Sequence, residues 1–223
     1  ADFRSEMNAR TARQIDRAQP DLTPGEKYLR TLEHLGSGSL ISDVSQYTLN
    51  NLQKSYAQLD QGTVEQIVDI LLRSDRKYIA GFRGTACCAQ YMASKLLFLT
   101  PHVVPILHAD ATAVENLLDI TERDCLFLYS FPRYSEIARP LMEIARESGA
   151  KVILMTDRRT SPLANKADVV VTAQVDGLGF TNSYVAPLSL SEVILLSVSG
   201  RKDVKDSKRF NRIDSVMERE KLY

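Results

Sequence analysis

The residues best suited to chemistry lie in CLFLYSFPRYS, residues 125–135, where an apolar run ends at Tyr129, a short polar loop follows, and a helical pattern resumes at Glu136. A buried strand that hands a loop to a helix N-terminus presents unpaired backbone N–H groups and the positive end of the helix dipole. Hydroxyls and a guanidinium placed there make a pocket for an anionic small molecule, which singles out Ser130, Arg133 and Ser135 for ligand contact. Tyr134 is placed to stack on a ligand or to close the crevice. A second loop of the same character, Gly81-Phe82-Arg83-Gly84-Thr85, follows an apolar run at 77–80 and adds Arg83, Gly84 and Thr85.

Each of these residues also has a plainer role. Ser135 and Thr85 sit where they would cap the helices beside them, which does not exclude ligand contact. Arg83 and Arg133 read alternatively as solvated loop arginines. Proton transfer would need a Glu or His near the cradle; Glu136 is close to the loop and Glu192 lies on the last long helix, and neither has a partner acid at a recognisable spacing. Of the three histidines, His102 and His108 fall at the two ends of one strand, so neither a metal-ligand cluster nor a histidine-based nucleophile emerges. Cys87, Cys88 and Cys125 lie in apolar patterns without CxxC spacing and read as reduced core residues. No catalytic residue, metal or cofactor is assigned.

The elements that position the loops follow from periodicity. Apolar runs at 77–80, 103–107, 125–129, 151–155 and 168–172 predict strands, and they alternate with helical patterns at 86–99, 111–119 and 136–148 and a helical turn at 161–166. Solid apolar runs mean strands covered on both faces, and short connections through helices mean parallel neighbours with right-handed crossovers. The expected fold is α/β, a five-stranded parallel doubly wound sheet of order 2-1-3-4-5 with an N-terminal helical extension. That order sets the ends of strands one and three side by side at the switch point, so both loops line one crevice.

Two amphipathic helices precede the first strand. Val44, Tyr47, Thr48, Leu52 and Tyr56 share one face, and Val64, Ile67, Val68, Leu71 and Leu72 share another. With the apolar helix at 185–198 they supply more apolar face than one sheet needs, so a homodimer or homotetramer is expected. Phe3, Met7 and Ile15 suit a thin helical stripe that Pro20 and Pro24 stop, residues 28–35 suit a short helix, and Gly36-Ser37-Gly38-Ser39 reads as a linker. The chain therefore divides at about residue 39, into 1–39 and 40–223. Residues 202–212 read as a solvated helix face.

Composition narrows the partners. Lys plus Arg and Asp plus Glu balance at 28 each, so no overall basic field holds nucleic acid. No apolar stretch approaches the ~18 residues of a membrane span, and a soluble, cytoplasmic protein without membrane contact is expected.

Residues 78–172 resemble a sugar isomerase (SIS) domain, a flavodoxin-like fold. The resemblance rests on Gly81-Phe82-Arg83-Gly84-Thr85, Ser130-Phe131-Pro132-Arg133-Tyr134-Ser135, Thr156-Asp157, Ser161-Pro162-Leu163-Ala164 and Ala167-Asp168. Ala1-Asp2-Phe3-Arg4 through Arg13 is similar to the last helix of the helix-turn-helix domain of RpiR-type transcriptional regulators. The family's organisation then implies that residues 1–39 are a helical remnant and linker of that domain, most of which would precede Ala1, and that 40–223 are its SIS ligand-binding domain.

The resemblance implies an effector-sensing domain that binds a small anionic metabolite, a sugar phosphate or, given the arginines of this chain, a carboxylate, and touches DNA only through a helix-turn-helix domain absent from this chain. A sugar-phosphate isomerase is the alternative. This chain departs from the family by carrying Arg83 where small residues are usual and Pro132-Arg133 where Ser-Gly is usual. Two guanidiniums fork onto a phosphate or a carboxylate, or fill the space of a sugar ring.

Overall fold

The computed structural model describes residues 23–35, 40–179, 181–205 and 208–222 of the 223. The stripe at Phe3, Met7 and Ile15 and the Gly36–Ser39 linker, with the boundary placed there, lie outside the described residues.

Three helices, α1 (Pro24–Leu35), α2 (Leu40–Gln58) and α3 (Gln61–Arg73), lead into β1 (Lys77–Gly81). Then come α4 (Ala86–Leu99), β2 (Val103–Ile106), α5 (Ala111–Glu115), β3 (Cys125–Tyr129), α6 (Ala138–Glu147), β4 (Lys151–Thr156) and β5 (Val169–Thr172). Helices α7 (Val185–Ser199), α8 (Lys202–Lys205) and α9 (Arg209–Arg219) follow. The sheet has the expected order, β2-β1-β3-β4-β5, and every neighbouring pair is parallel.

Both faces of the sheet are covered, which is why the strands read as solid apolar runs. On one face Ile79, Phe127, Tyr129, Ile153 and Met155 pack with Val64, Ile67 and Leu71 of α3, Cys88, Met92 and Leu96 of α4, and Leu190 and Ile194 of α7. On the other, Tyr78, Ala80, Leu126, Leu128 and Leu154 pack with Ala113 of α5 and Leu141, Met142 and Ala145 of α6. Burying a side chain of this size stabilises the fold by about 1.5–3 kcal/mol, so the two layers fix the strand ends on which the loops stand. Pro105 lies on β2, an edge strand, where its missing N–H costs no ladder bond.

The Ala167-Asp168 motif has a local cause. Asp168 accepts from the Val152 N–H at 2.8 Å and from Lys151 Nζ at 3.0 Å, which pins the start of β5 to β4.

Several expectations shift. Pro24 opens α1 instead of only stopping what precedes it: Thr23 and Glu26 cap each other reciprocally, and proline suits the first helical position. Helix α5 ends at Glu115, because the bonds of Leu117 to Val114 and Leu118 to Glu115 tighten the chain into turns. The stretch at 202–212 falls across two helices, α8 and α9.

The largest difference concerns α2. Its predicted apolar face is only partly its seat: Val44 is 48% exposed and Tyr56 44%, Tyr47, Thr48 and Leu52 are half-buried, and the buried residues are Asn51 and Ser55. The buried part of the seat is polar because α2 lies along a loop whose backbone groups need partners, while Tyr56 Oη shares a 2.7 Å hydrogen bond with Ser189 of α7. Asn51 Nδ2 donates to the Asp176 carbonyl at 2.6 Å, and the Gln174 N–H donates to Ser55 Oγ at 2.8 Å. The unburied apolar surface of the N-terminal helices therefore lies on α1 and α2, whereas α3 buries its stripe in the core.

Candidate functional site

Beyond the C-terminal ends of β1 and β3 lies a cavity of about 340 Å³. Six of the seven sequence candidates, Arg83, Gly84, Thr85, Ser130, Arg133 and Ser135, line it. The order β2-β1-β3 brings them together, since Gly81 is in register with Tyr129 and the two loops leave the sheet side by side.

The first loop is held tightly. Thr85 Oγ1 accepts from the Phe82 N–H at 2.8 Å and donates to the Phe82 carbonyl at 2.9 Å, closing a 3-10 turn at Arg83–Thr85. Its hydroxyl thus braces the loop instead of capping α4. The turn folds back so closely that a Cβ on Gly81 would meet the Thr85 carbonyl oxygen at 2.5 Å, so only glycine fits there. Arg83 follows with φ 55°, in the left-handed region that costs a side-chain-bearing residue about 1–2 kcal/mol.

The second loop repeats the device with Arg133 at φ 67°. Both arginines at the cavity thus hold backbone conformations that glycine would adopt more readily. Ser130 is 4% exposed, and its Oγ has no hydrogen-bond partner. A buried hydroxyl without a partner costs about 1–3 kcal/mol, and this residue lines the cavity, as Arg83 and Arg133 do. Ser135 does not cap α6, which begins at Ala138; its carbonyl accepts from the Ala138 N–H at 3.0 Å in the turn before the helix.

Tyr134, the seventh candidate, does not line the cavity. Its hydroxyl donates to Asp157 Oδ1 at 2.8 Å, so it ties the second loop to the end of β4.

Thr181, Asn182 and Tyr184, from a third stretch of the chain, also line the wall. They come from the segment between β5 and α7, which has no apolar periodicity to announce it. Asn182 Nδ2 donates to the Pro132 carbonyl at 3.3 Å. Tyr184 packs edge-on to Phe131, centroids 6.0 Å apart, and crowds Gly84, where a Cβ would meet its ring at 2.8 Å. Burial raises the Tyr184 phenol above its ordinary value, with the Asn182 hydrogen bond and the Arg133 charge acting in the opposite direction. Beneath, Tyr129 shares a 2.7 Å hydrogen bond with Ser191, and burial pushes its phenol up.

Neither carboxylate considered as a base is at the cavity. Glu136 is exposed, and Glu192 accepts from Tyr91 Oη at 2.7 Å between α4 and α7. His108 lines a second hollow, which it shares with Arg83, Cys87 and Gln90. Among the described residues no three His, Cys, Asp or Glu side chains gather to hold a metal ion, and no helix is long and apolar enough to cross a membrane.

A doubly wound parallel sheet with a crevice between two loops at its switch point defines an α/β domain of flavodoxin-like form. The SIS domain model matches residues 70–197, and the chain belongs to that family. Its structure resembles the sugar isomerase domain of an RpiR transcription factor from Sphaerobacter thermophilus, with TM-score 0.75, 22% identity and coverage of 81% of this chain and 99% of that one. It also resembles Vibrio vulnificus NanR complexed with ManNAc-6P (TM-score 0.66, 18% identity, 85% and 74%). A Methanococcus jannaschii protein with an inferred 3-hexulose-6-phosphate isomerase function matches at TM-score 0.58 and 14% identity, over 78% and 96%. No curated protein matches the sequence. The fold thus occurs in transcriptional regulators and in a protein with an inferred isomerase function.

Proposed function

We propose that this chain is the effector-sensing SIS domain of a transcriptional regulator of RpiR type, and that its cavity binds a small anionic metabolite, a sugar phosphate or a carboxylate, without turning it over. The observation that carries the reading is Ser130, a buried hydroxyl without a partner, in the wall of a cavity that Arg83 and Arg133 also line. An anionic oxygen would accept from that hydroxyl and from a guanidinium together, removing the cost of the unpaired group and adding charge-assisted bonds. Arg83, Gly84, Thr85, Ser130, Arg133 and Ser135 hold the ligand in this account, and Tyr134 holds their loop.

Two likenesses support the regulatory side: an RpiR transcription factor and NanR, the latter seen with a sugar phosphate. DNA would be contacted through a separate helix-turn-helix domain, since charge on this chain balances. The exposed apolar residues of α1 and α2 suit self-association into a dimer or tetramer, and a cytoplasmic location accords with sensing a metabolite. Isomerisation would require a base at the cavity, and the described lining residues include no carboxylate and no imidazole.

A thermal-shift screen of sugar phosphates beside organic and amino-acid-derived acids tests the reading. A ligand at a hundred times its dissociation constant adds about 2.7 kcal/mol to stability, so a binder raises the melting temperature visibly. A response from neutral sugars alone would contradict the anion site, and chemical conversion of the hit would contradict the sensor.

A further inference from the structure

We propose that the segment between β5 and α7, residues 173–184, couples the cavity to helices α1 and α2, and so carries ligand occupancy toward the N-terminal side of the chain; this rests on the effector-sensing reading above. The segment leaves the sheet with the Ala173 N–H donating to the Thr156 carbonyl at 2.8 Å, and it turns back on itself where the Ser183 N–H donates to the Val175 carbonyl at 3.0 Å. That bond ties together two halves with different neighbours.

The first half is the seat of the helices. Its Gln174 N–H is bound by Ser55, its Asp176 carbonyl by Asn51, and its Leu178 carbonyl by the Thr31 hydroxyl of α1. Ser55 Oγ also donates to the Asn51 carbonyl at 2.6 Å, so both α2 residues belong to one network. The second half is the cavity wall formed by Thr181, Asn182 and Tyr184. Asn182 holds the Pro132 carbonyl of the second loop, and the Tyr184 ring lies against Gly84 of the first. One closed loop therefore touches both loops of the cavity and the helices α1 and α2.

The chemistry of the seat makes it sensitive. An apolar face tolerates sliding, because its energy follows buried area and has no direction. The seat of α2 is instead Asn51, 4% exposed, and Ser55, 0% exposed, each committed to a backbone group. A hydrogen bond weakens steeply with angle, and a buried group that loses its partner bears the full desolvation cost. A ligand that shifts the cavity wall must then reseat or release α2, and by linkage the seat of α2 changes ligand affinity by the same factor.

Amide hydrogen exchange on the whole chain tests this, with and without the tightest binder from a panel of inorganic phosphate, hexose 6-phosphates and small dicarboxylates. Binding is expected to slow exchange at residues 81–85 and 130–135 and also at 51–58 and 174–178. The companion variant Asn51→Leu keeps the branched outline of the side chain, removes the donor and leaves the cavity lining intact; it is expected to weaken the same probe by about fivefold or more. Protection confined to the cavity loops, with unchanged affinity in Asn51→Leu, overturns the coupling and leaves the sensor reading standing. Failure of every probe to bind overturns the sensor reading and the coupling with it. Should Asn51→Leu not fold, the exchange pattern of the parent chain decides.

Discussion

The two ends of the sheet treat their buried polar groups in opposite ways. At the N-terminal end every demand is met: Asp124, 1% exposed, accepts from the Arg76 N–H at 2.9 Å and from the N–H and hydroxyl of Thr121 at 2.8 and 2.9 Å. Lys77, 3% exposed, reaches the carbonyls of Asp75 and Pro101, and burial lowers its ammonium from the ordinary value. Even His102, at φ 58°, uses its unusual conformation, since its carbonyl accepts from the Lys77 N–H at 2.9 Å. Beyond the C-terminal end, Ser130 and Ser161 are the two buried side chains without partners among the described residues, and Arg83 and Arg133 hold left-handed backbone at the cavity. The first end is closed by its own residues, and the second keeps donors unspent. Ser130 lines the cavity and Ser161 does not, so on the proposed reading it is the Ser130 donor that a ligand would take up.

The largest expected effect lies at the closed end. Asp124→Ala removes a carboxylate that satisfies three donors and should lower stability by about 3 kcal/mol in urea denaturation, with the affinity of the folded protein for an anionic probe unchanged. A loss of affinity without a loss of stability would erase the contrast between the two ends.

The open end should behave the other way. Arg133→Ala is expected to weaken an anionic ligand by about 1.5–3 kcal/mol in calorimetric titration and to leave the melting temperature nearly unchanged, since the residue stands on an exposed loop. Arg133→Gly should bind as poorly and yet be about 1 kcal/mol more stable than Arg133→Ala, because glycine adopts φ 67° without strain. Equal stability of the two variants would mean that the left-handed backbone stores nothing.

The smallest effect is alkaline. Burial pushes the Cys125 thiol, at the closed end, from 9.0 up to about 11. The folded state therefore favours the neutral thiol; its contribution is full below the unfolded value and declines as pH rises from 9 to 11, where the unfolded thiol ionises first. Urea midpoints should fall across that window, and less steeply in Cys125→Ala.

How legible these regions were in the sequence follows from what each leaves in the pattern. Cys125–Tyr129 and Ala86–Leu99 are solid apolar runs with polar breaks, and their bounds are the expected ones. Strand order then brought Arg83 and Ser130 to one cavity, because a doubly wound sheet has a single switch point. Tyr134 was placed at the ligand by its neighbours in the chain, whereas its side chain turns to Asp157. The wall residues Thr181, Asn182 and Tyr184 were not visible, since their loop has no period and meets the cavity only because the chain returns past β5. The α2 stripe misled for a related reason: an apolar face shows that burial would be favourable, and backbone groups at 174–178 recruited Asn51 and Ser55 to the seat instead. Nothing in the letters Arg83 and Arg133 marks a left-handed backbone, because neither is glycine.

The central claim, that the unpaired donor of Ser130 is kept for an anion, is tested most directly by paired measurements of stability and affinity on Ser130→Ala. Removing a buried, unpartnered hydroxyl should raise the stability of the free protein by about 1 kcal/mol, and the same change should weaken the anionic ligand found in the screen by about 1.5 kcal/mol or more. The two quantities move in opposite directions if the hydroxyl serves the ligand. A variant that loses stability and binds the anion as tightly as the parent would contradict the account.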